Sequence, residues 1–133
     1  MLKKVLFFLY LTLLTVLSLL PSDDLPDVMI FPYADKLIHM CMYAGLTFLL
    51  FLAWPERFRG RRAFIPLLIV IIWGLFMEFL QRIGGLGRSF EFRDEMSNTL
   101  GFFPGWLGWL WLGKWFSGKL DRLTGSTKTR DNK

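Results

Sequence analysis

Four long apolar runs dominate the chain, at residues 5–20, 37–54, 63–80 and 96–111. Glu78 and His39 are the only acidic or basic residues within them, because the other charged side chains collect in the connecting segments. An apolar segment of about 20 residues is long enough for an α-helix to cross the hydrocarbon core of a bilayer. The pattern predicts an all-α membrane protein, a compact bundle of four transmembrane helices spanning about residues 5–20, 36–54, 63–81 and 95–115.

Composition favours a membrane over water as the solvent of this chain. Hydrophobic residues make up 53% of its 133 residues, and the mean hydropathy is +0.41. We therefore predict a single four-span domain over residues 1–116. Residues 117–133 carry alternating charges with glycine and serine, which predicts a flexible basic cytoplasmic tail. The chain contains one cysteine, which excludes an internal disulfide.

The distribution of basic residues predicts the orientation. Segment 55–62 contains four arginines, whereas segment 21–36 contains four aspartates and one lysine. By the positive-inside rule, the arginine-rich segment and both termini face the cytoplasm, and the other two connections face outward. The first run also resembles a signal peptide, but no small-residue cleavage site precedes Pro21, so we expect it to remain as a span.

Polar residues recur at helical spacing near the ends of three spans. Residues three or four apart lie on one helix face, so each span end presents a polar stripe. The three stripes comprise Asp35, His39 and Tyr43; Gly74, Glu78 and Gln81; and Asp94, Asn98, Gly101 and Gly105. Alternating spans place these three ends at the outer face of the membrane. Because ionisable groups in hydrocarbon are costly unless paired or hydrated, we expect the stripes to meet in a polar pocket.

The stripes and their neighbours form three spaced motifs between residues 35 and 105. These are Asp-Lys-x-x-His-x-x-x-Tyr, Gly-x-x-x-Glu-x-x-Gln, and an arginine, Arg88, followed by Asp-x-x-x-Asn-x-x-Gly-x-x-x-Gly. The combination resembles the VanZ-like family of bacterial membrane proteins. The resemblance implies a multi-pass protein of the bacterial inner membrane and a link to low-level resistance to the glycopeptide teicoplanin. It implies no particular reaction.

Four residues are the candidates for acid–base chemistry: His39, Glu78, Asp35 and Asp94. Imidazole exchanges protons near neutral pH, and Asp35 lies one turn before His39, where it can orient the ring. Each residue also has an ordinary structural interpretation. His39 suits a membrane interface, both aspartates can cap helix N-termini, and Glu78 can form a salt bridge with Arg82.

The candidate ligand-binding residues are Lys36, Tyr43, Gln81, Arg88, Arg93 and Asn98. The two arginines lie in or next to a glycine-rich connection, where they suit a phosphate or carboxylate, or alternatively lipid headgroups. Gly74, Gly101 and Gly105 are assigned to close helix packing. The sequence shows no placed nucleophile, phosphate-cradling loop or paired-cysteine motif, so we expect no cofactor and no metal.

The sequence favours a VanZ-like protein whose outer-leaflet pocket recognises an anionic cell-envelope lipid or wall precursor, with acid–base modification of that ligand as an extension. We expect the basic residues behind the net charge of +5 to set the orientation and to contact anionic membrane lipids. Nucleic acid is not expected as a partner. The alternative is a non-catalytic protein that binds a membrane partner or sequesters an amphiphile. A transporter is disfavoured, because its site would lie near the middle of the membrane.

Overall fold

The computed structural model describes residues 1–20, 33–58, 60–84 and 91–125. Within these ranges the chain forms four α-helices and no strand: α1 (Leu2–Leu19), α2 (Ala34–Ala53), α3 (Ile65–Ile83) and α4 (Phe92–Leu123). A short 3₁₀ turn at Gly60–Arg62 precedes α3. The predicted all-α bundle is confirmed. By length and composition, α1, α2 and α3 can each cross a membrane.

The fourth helix is less apolar than the other three, which alone meet the hydropathy expected of a membrane span. Its uncharged middle, residues 96–113, is diluted by glycine, tryptophan and polar side chains. The helix also continues through Leu123, although the sequence predicted a flexible tail from residue 117. Lys3 explains the extension, because its ammonium donates to the Ser117 hydroxyl at 2.6 Å and to the Asp121 carboxylate at 2.8 Å. Residues 126–133 of that tail lie outside the described residues.

Contacts between helix ends establish the helix directions. Lys36 at the start of α2 binds Asp94 at the start of α4. The end of α3 lies beside them, since the backbone N–H of the α4 N-cap donates to Glu78 at 3.4 Å. The end of α1 joins the same group, because the Gln81 side-chain amide donates to the Ser18 carbonyl at 2.6 Å. We call this the acidic end of the bundle. At the opposite, basic end α1 and α3 begin and α2 and α4 end.

Glycines on α4 bring α2 and α4 together in parallel. A Cβ atom at Gly101 would collide with the carbonyl oxygen of Met40, and one at Gly105 would collide with that of Ala44. Both positions therefore require a residue without a side chain. This close approach holds His39, the residue before Met40, next to the start of α4.

The surface of the bundle is apolar over much of its area. Large hydrophobic side chains such as Leu9, Ile72 and Trp111 are 63%, 65% and 84% exposed. In water, contiguous apolar surface of this extent marks an interaction site or an aggregation liability, whereas lipid tails solvate it without cost. The exposed surface therefore agrees with a multi-pass membrane protein.

Candidate functional site

Lys36 is the ionic centre of the acidic end. Its ammonium lies 2.9 Å from the Asp35 carboxylate and 2.7 Å from that of Glu91, and it contacts Asp94 directly. The side chains of Lys36 and Asp94 are each 17% exposed, whereas those of Asp35 and Glu91 are 55% and 51% exposed. Exposed ion pairs contribute little to stability, so the pair with Asp94 is the one that fixes the two helix starts together.

Neither aspartate caps its helix. The N-cap of α2 is Tyr33, with a φ of 69°, and the N-cap of α4 is Glu91; neither makes a side-chain capping bond. Neither aspartate is therefore the N-cap residue, although the Asp35 carboxylate accepts a hydrogen bond from the backbone N–H of Lys36. Both fall in the first helical turn, where their charge is favourable beside the helix N-terminus and where Lys36 reaches them.

A chain of hydrogen bonds crosses from α2 to α4 just inside this ionic layer. His39 Nδ1 lies 2.9 Å from Asn98 Oδ1. The amide nitrogen of Asn98 donates to Glu95 Oε2 at 3.4 Å, and the Thr99 hydroxyl donates to Glu95 Oε1 at 3.2 Å. Asn98 is 1% exposed and Glu95 5%. Asn98 and Glu95 thus obtain protein partners where water is excluded, whereas His39 and Thr99 are partly buried.

Glu95 is the site residue that sequence analysis missed. Asp94 was assigned to the polar stripe because it lies four residues before Asn98. Glu95 lies three residues before Asn98, and both spacings place a residue on the same helix face. The structure buries Glu95 and leaves Asp94 to the ionic layer. The spacing of Glu95 and Asn98 was the available signal.

Glu78 brings a second buried carboxylate to the same region. It is 1% exposed and accepts a hydrogen bond from the backbone N–H of Glu91 at 3.4 Å. It lies within electrostatic range of Glu95, and the phenol of Tyr43, which is 2% exposed, lies within range of both carboxylates. Three helices therefore contribute polar side chains to one buried cluster.

Gly74 makes room for this cluster. A Cβ atom at Gly74 would collide with Glu95 Oε2 and would lie 3.2 Å from the amide nitrogen of Asn98. Gly74 lies one turn before Glu78 on α3, so the missing side chain is what lets the Glu95 carboxylate fit between α3 and α4. Gly74 therefore provides space for the Glu95 carboxylate as well as allowing close helix packing.

The remaining predicted ligand-binding residues lie around the cluster. Gln81 is 4% exposed and donates to the Ser18 carbonyl on α1. Arg93 is exposed at the start of α4, and Arg82, one turn after Glu78, is exposed as well. Arg88 lies outside the described residues. Arg82 and Arg93 are therefore exposed and do not belong to the buried cluster.

Carboxylates outnumber ammonium groups at the acidic end of the bundle. Five carboxylates accompany the single ammonium of Lys36: Asp35, Glu78, Glu91, Asp94 and Glu95. Within the described ranges, no three histidine, cysteine or carboxylate side chains are grouped closely enough to hold a metal ion. The geometry thus provides a base, an orienting amide and buried carboxylates, which are suited to holding and moving protons.

A family model described as VanZ/LLP1 matches residues 6–113, a range that begins near the start of α1, ends within α4 and includes every residue of the acidic end. No curated protein and no solved structure shows significant similarity to the chain.

Proposed function

The chain belongs to the VanZ/LLP1 family, and on that basis we propose that it recognises the polar headgroup of an anionic cell-envelope lipid or wall precursor at the acidic end of the bundle. We place the chemistry of the site, transfer of a proton to or from the bound headgroup, on His39. By binding this envelope molecule the protein lowers susceptibility to glycopeptides such as teicoplanin.

The hydrogen-bond chain from His39 through Asn98 to Glu95 is the observation that supports the proposal. Polar and ionisable groups within membrane helices are costly, and they usually mark functional sites. Helix packing alone does not require three polar side chains in series, of which Asn98 and Glu95 are buried. A base whose ring is oriented by a second side chain, itself anchored by a third, is a recurring arrangement in proton-transfer sites.

The charge balance indicates how such a ligand would lie. Phosphate placed among the buried carboxylates would be repelled, so its position is the rim, beside Arg93 and Arg82. Hydroxyl or amine groups of the same headgroup would then point toward the half-buried ring of His39. His39, between rim and interior, is positioned to exchange a proton with such a donor.

The alternative, a non-catalytic partner protein that binds through its glycine face, is less well supported. Gly101 and Gly105 already pack against α2 of the same chain, so this face is covered within the bundle. Harmful substitutions there would report on folding rather than on a partner.

The proposal is tested in a bacterial strain lacking the protein, complemented with the wild type, His39→Ala, His39→Gln or Ser97→Ala. Lipid and muropeptide profiles and teicoplanin susceptibility are compared at equal protein levels in the membrane. Ser97 is the matched control, because its hydroxyl only donates to the Arg93 carbonyl of its own helix at 3.0 Å.

We expect both His39 variants to behave like the empty strain and Ser97→Ala to behave like the wild type. Glutamine can still donate a hydrogen bond but cannot exchange a proton. A functional His39→Gln protein would therefore support recognition of the headgroup and refute proton transfer by His39. A functional His39→Ala protein would refute both parts of the proposal.

A further inference from the structure

A cavity lies at the basic end of the bundle, away from the polar cluster. Its volume is about 360 Å³, which is within the range of about 300–1,000 Å³ typical of small-ligand sites. It opens between α1, the end of α2 with the turn that follows, and the first turns of α3. The lining residues are Phe7, Leu50, Trp54, Arg57, Phe58 and Ile69.

The walls of this cavity are apolar and well packed. Phe7, Leu50 and Phe58 are 6%, 3% and 7% exposed, so they belong to the protein core. The rings of Phe7 and Trp54 meet edge to face at 5.1 Å. Ile69, in contrast, is 37% exposed, which leaves one side of the cavity open to the surrounding lipid. A groove of this form fits a hydrocarbon chain that enters from the bilayer.

Positive charge stands at the mouth of the groove. Arg57 is exposed and contributes to the lining. The Lys4 ammonium lies 5.7 Å from the centroid of the Trp54 ring, which brings a second cation to the same rim. The segment 54–64 carries four arginines against one acid, Glu56. Basic pockets between transmembrane helices are typical sites for anionic lipid headgroups.

We propose that this groove binds an anionic glycerophospholipid. One acyl chain lies along the aromatic wall formed by Phe7, Trp54 and Phe58, and the phosphate lies at the rim beside Arg57 and Lys4. Guanidinium suits this position, because it pairs with phosphate through two parallel hydrogen bonds. The bound lipid would fill the space between α1 and α3 at the basic end.

The test is native mass spectrometry of the purified full chain, released from detergent in the presence of equal amounts of phosphatidylglycerol and phosphatidylcholine with identical acyl chains. The variants are Arg57→Gln, Ile69→Trp and Arg122→Gln. Arg122 is the matched control, because it is an exposed arginine at the basic end but does not line the groove. Helix content of each variant is checked by circular dichroism.

We expect the wild type and Arg122→Gln to retain phosphatidylglycerol about fivefold over phosphatidylcholine, and Arg57→Gln to lose this preference. Ile69→Trp, which fills the groove without changing charge, should reduce retention of both lipids; Ile69→Phe replaces it if the larger side chain prevents folding. Equal retention of the two lipids by the wild type, or equal losses in Arg57→Gln and Arg122→Gln, would overturn the proposal. Undiminished retention of both lipids by Ile69→Trp would also overturn the proposal.

Discussion

His39 on α2 and Asn98 on α4 are joined side chain to side chain, with 2.9 Å between Nδ1 and Oδ1. The Asn98 amide nitrogen donates to Glu95, so its oxygen is the acceptor and His39 Nδ1 carries the proton. In the neutral ring, Nε2 is then the basic nitrogen. The contact between two helices thus determines which nitrogen of His39 can take a proton.

Asn98→Ala removes one partner from His39 and one from the Glu95 carboxylate. Glu95 is 5% exposed, so water cannot replace the lost bond freely. We expect a loss of about 1–3 kcal/mol in the free energy of unfolding, measured by thermal unfolding in detergent. Ser97→Ala, on the neighbouring position, should leave it unchanged. Equal stability of the two variants would show that the hydrogen-bond chain contributes nothing to the fold.

Gly74→Ala separates function from stability. The new Cβ atom collides with the end of the flexible Glu95 side chain, which can move and thereby leave Asn98. We expect a folded protein without function. In the strain that lacks the wild-type protein, it should leave the lipid and muropeptide profiles and the teicoplanin susceptibility unchanged. Gly118→Ala is the matched control, since nothing lies within 4 Å of its Cβ position. It should remain functional and gain about 0.5–1 kcal/mol of stability. Full function of Gly74→Ala would contradict this assignment.

Gly105→Ala should lower stability, because its Cβ atom meets the backbone of α2. The Ala44 carbonyl oxygen cannot move without the helix, and Thr47 Cβ would lie at 2.7 Å. We expect a destabilisation of about 1–3 kcal/mol by thermal unfolding in detergent. Gly108→Ala should be tolerated, since its Cβ atom would lie 3.6 Å from the Phe48 ring. If both variants unfold alike, close packing of α2 on α4 does not depend on Gly105.

The sidedness of the bundle is open to a direct labelling experiment. In a Cys41→Ala background, single cysteines are introduced as Glu91→Cys at the acidic end and Arg57→Cys at the basic end. The positive-inside rule predicts that a membrane-impermeant maleimide labels the first in intact cells and the second only after permeabilisation. The reverse pattern would place the acidic end in the cytoplasm and contradict the envelope ligand proposed for it.

The sequence predicted the bundle because long apolar runs leave a helix few alternatives in a membrane. It also brought the right helix ends together, since alternating spans place the starts of α2 and α4 beside the end of α3. It could not choose between Asp94 and Glu95, which are about 100° apart around α4 and equally compatible with Asn98. That choice depends on the rotation of α4, which packing of Gly101 and Gly105 on α2 determines.

The sequence pattern also could not predict that α4 extends past residue 117. Local composition there, with glycine, serine and mixed charges, is typical of a flexible end. The helix is stabilised by Lys3 at the other end of the chain, which pairs with Asp121 at 2.8 Å. A long-range contact of this kind leaves no periodic signal in either segment.

Asn98 and Glu95 hold His39 as an oriented base, and ¹⁵N NMR of the histidine ring measures that orientation through the position of the proton. His39 is the only histidine, so selective labelling reports on this ring alone. At a pH where the ring is neutral, we expect a protonated Nδ1 and an unprotonated Nε2, and loss of this preference in Asn98→Ala. A ring protonated at Nε2, or a spectrum unchanged by Asn98→Ala, would contradict it.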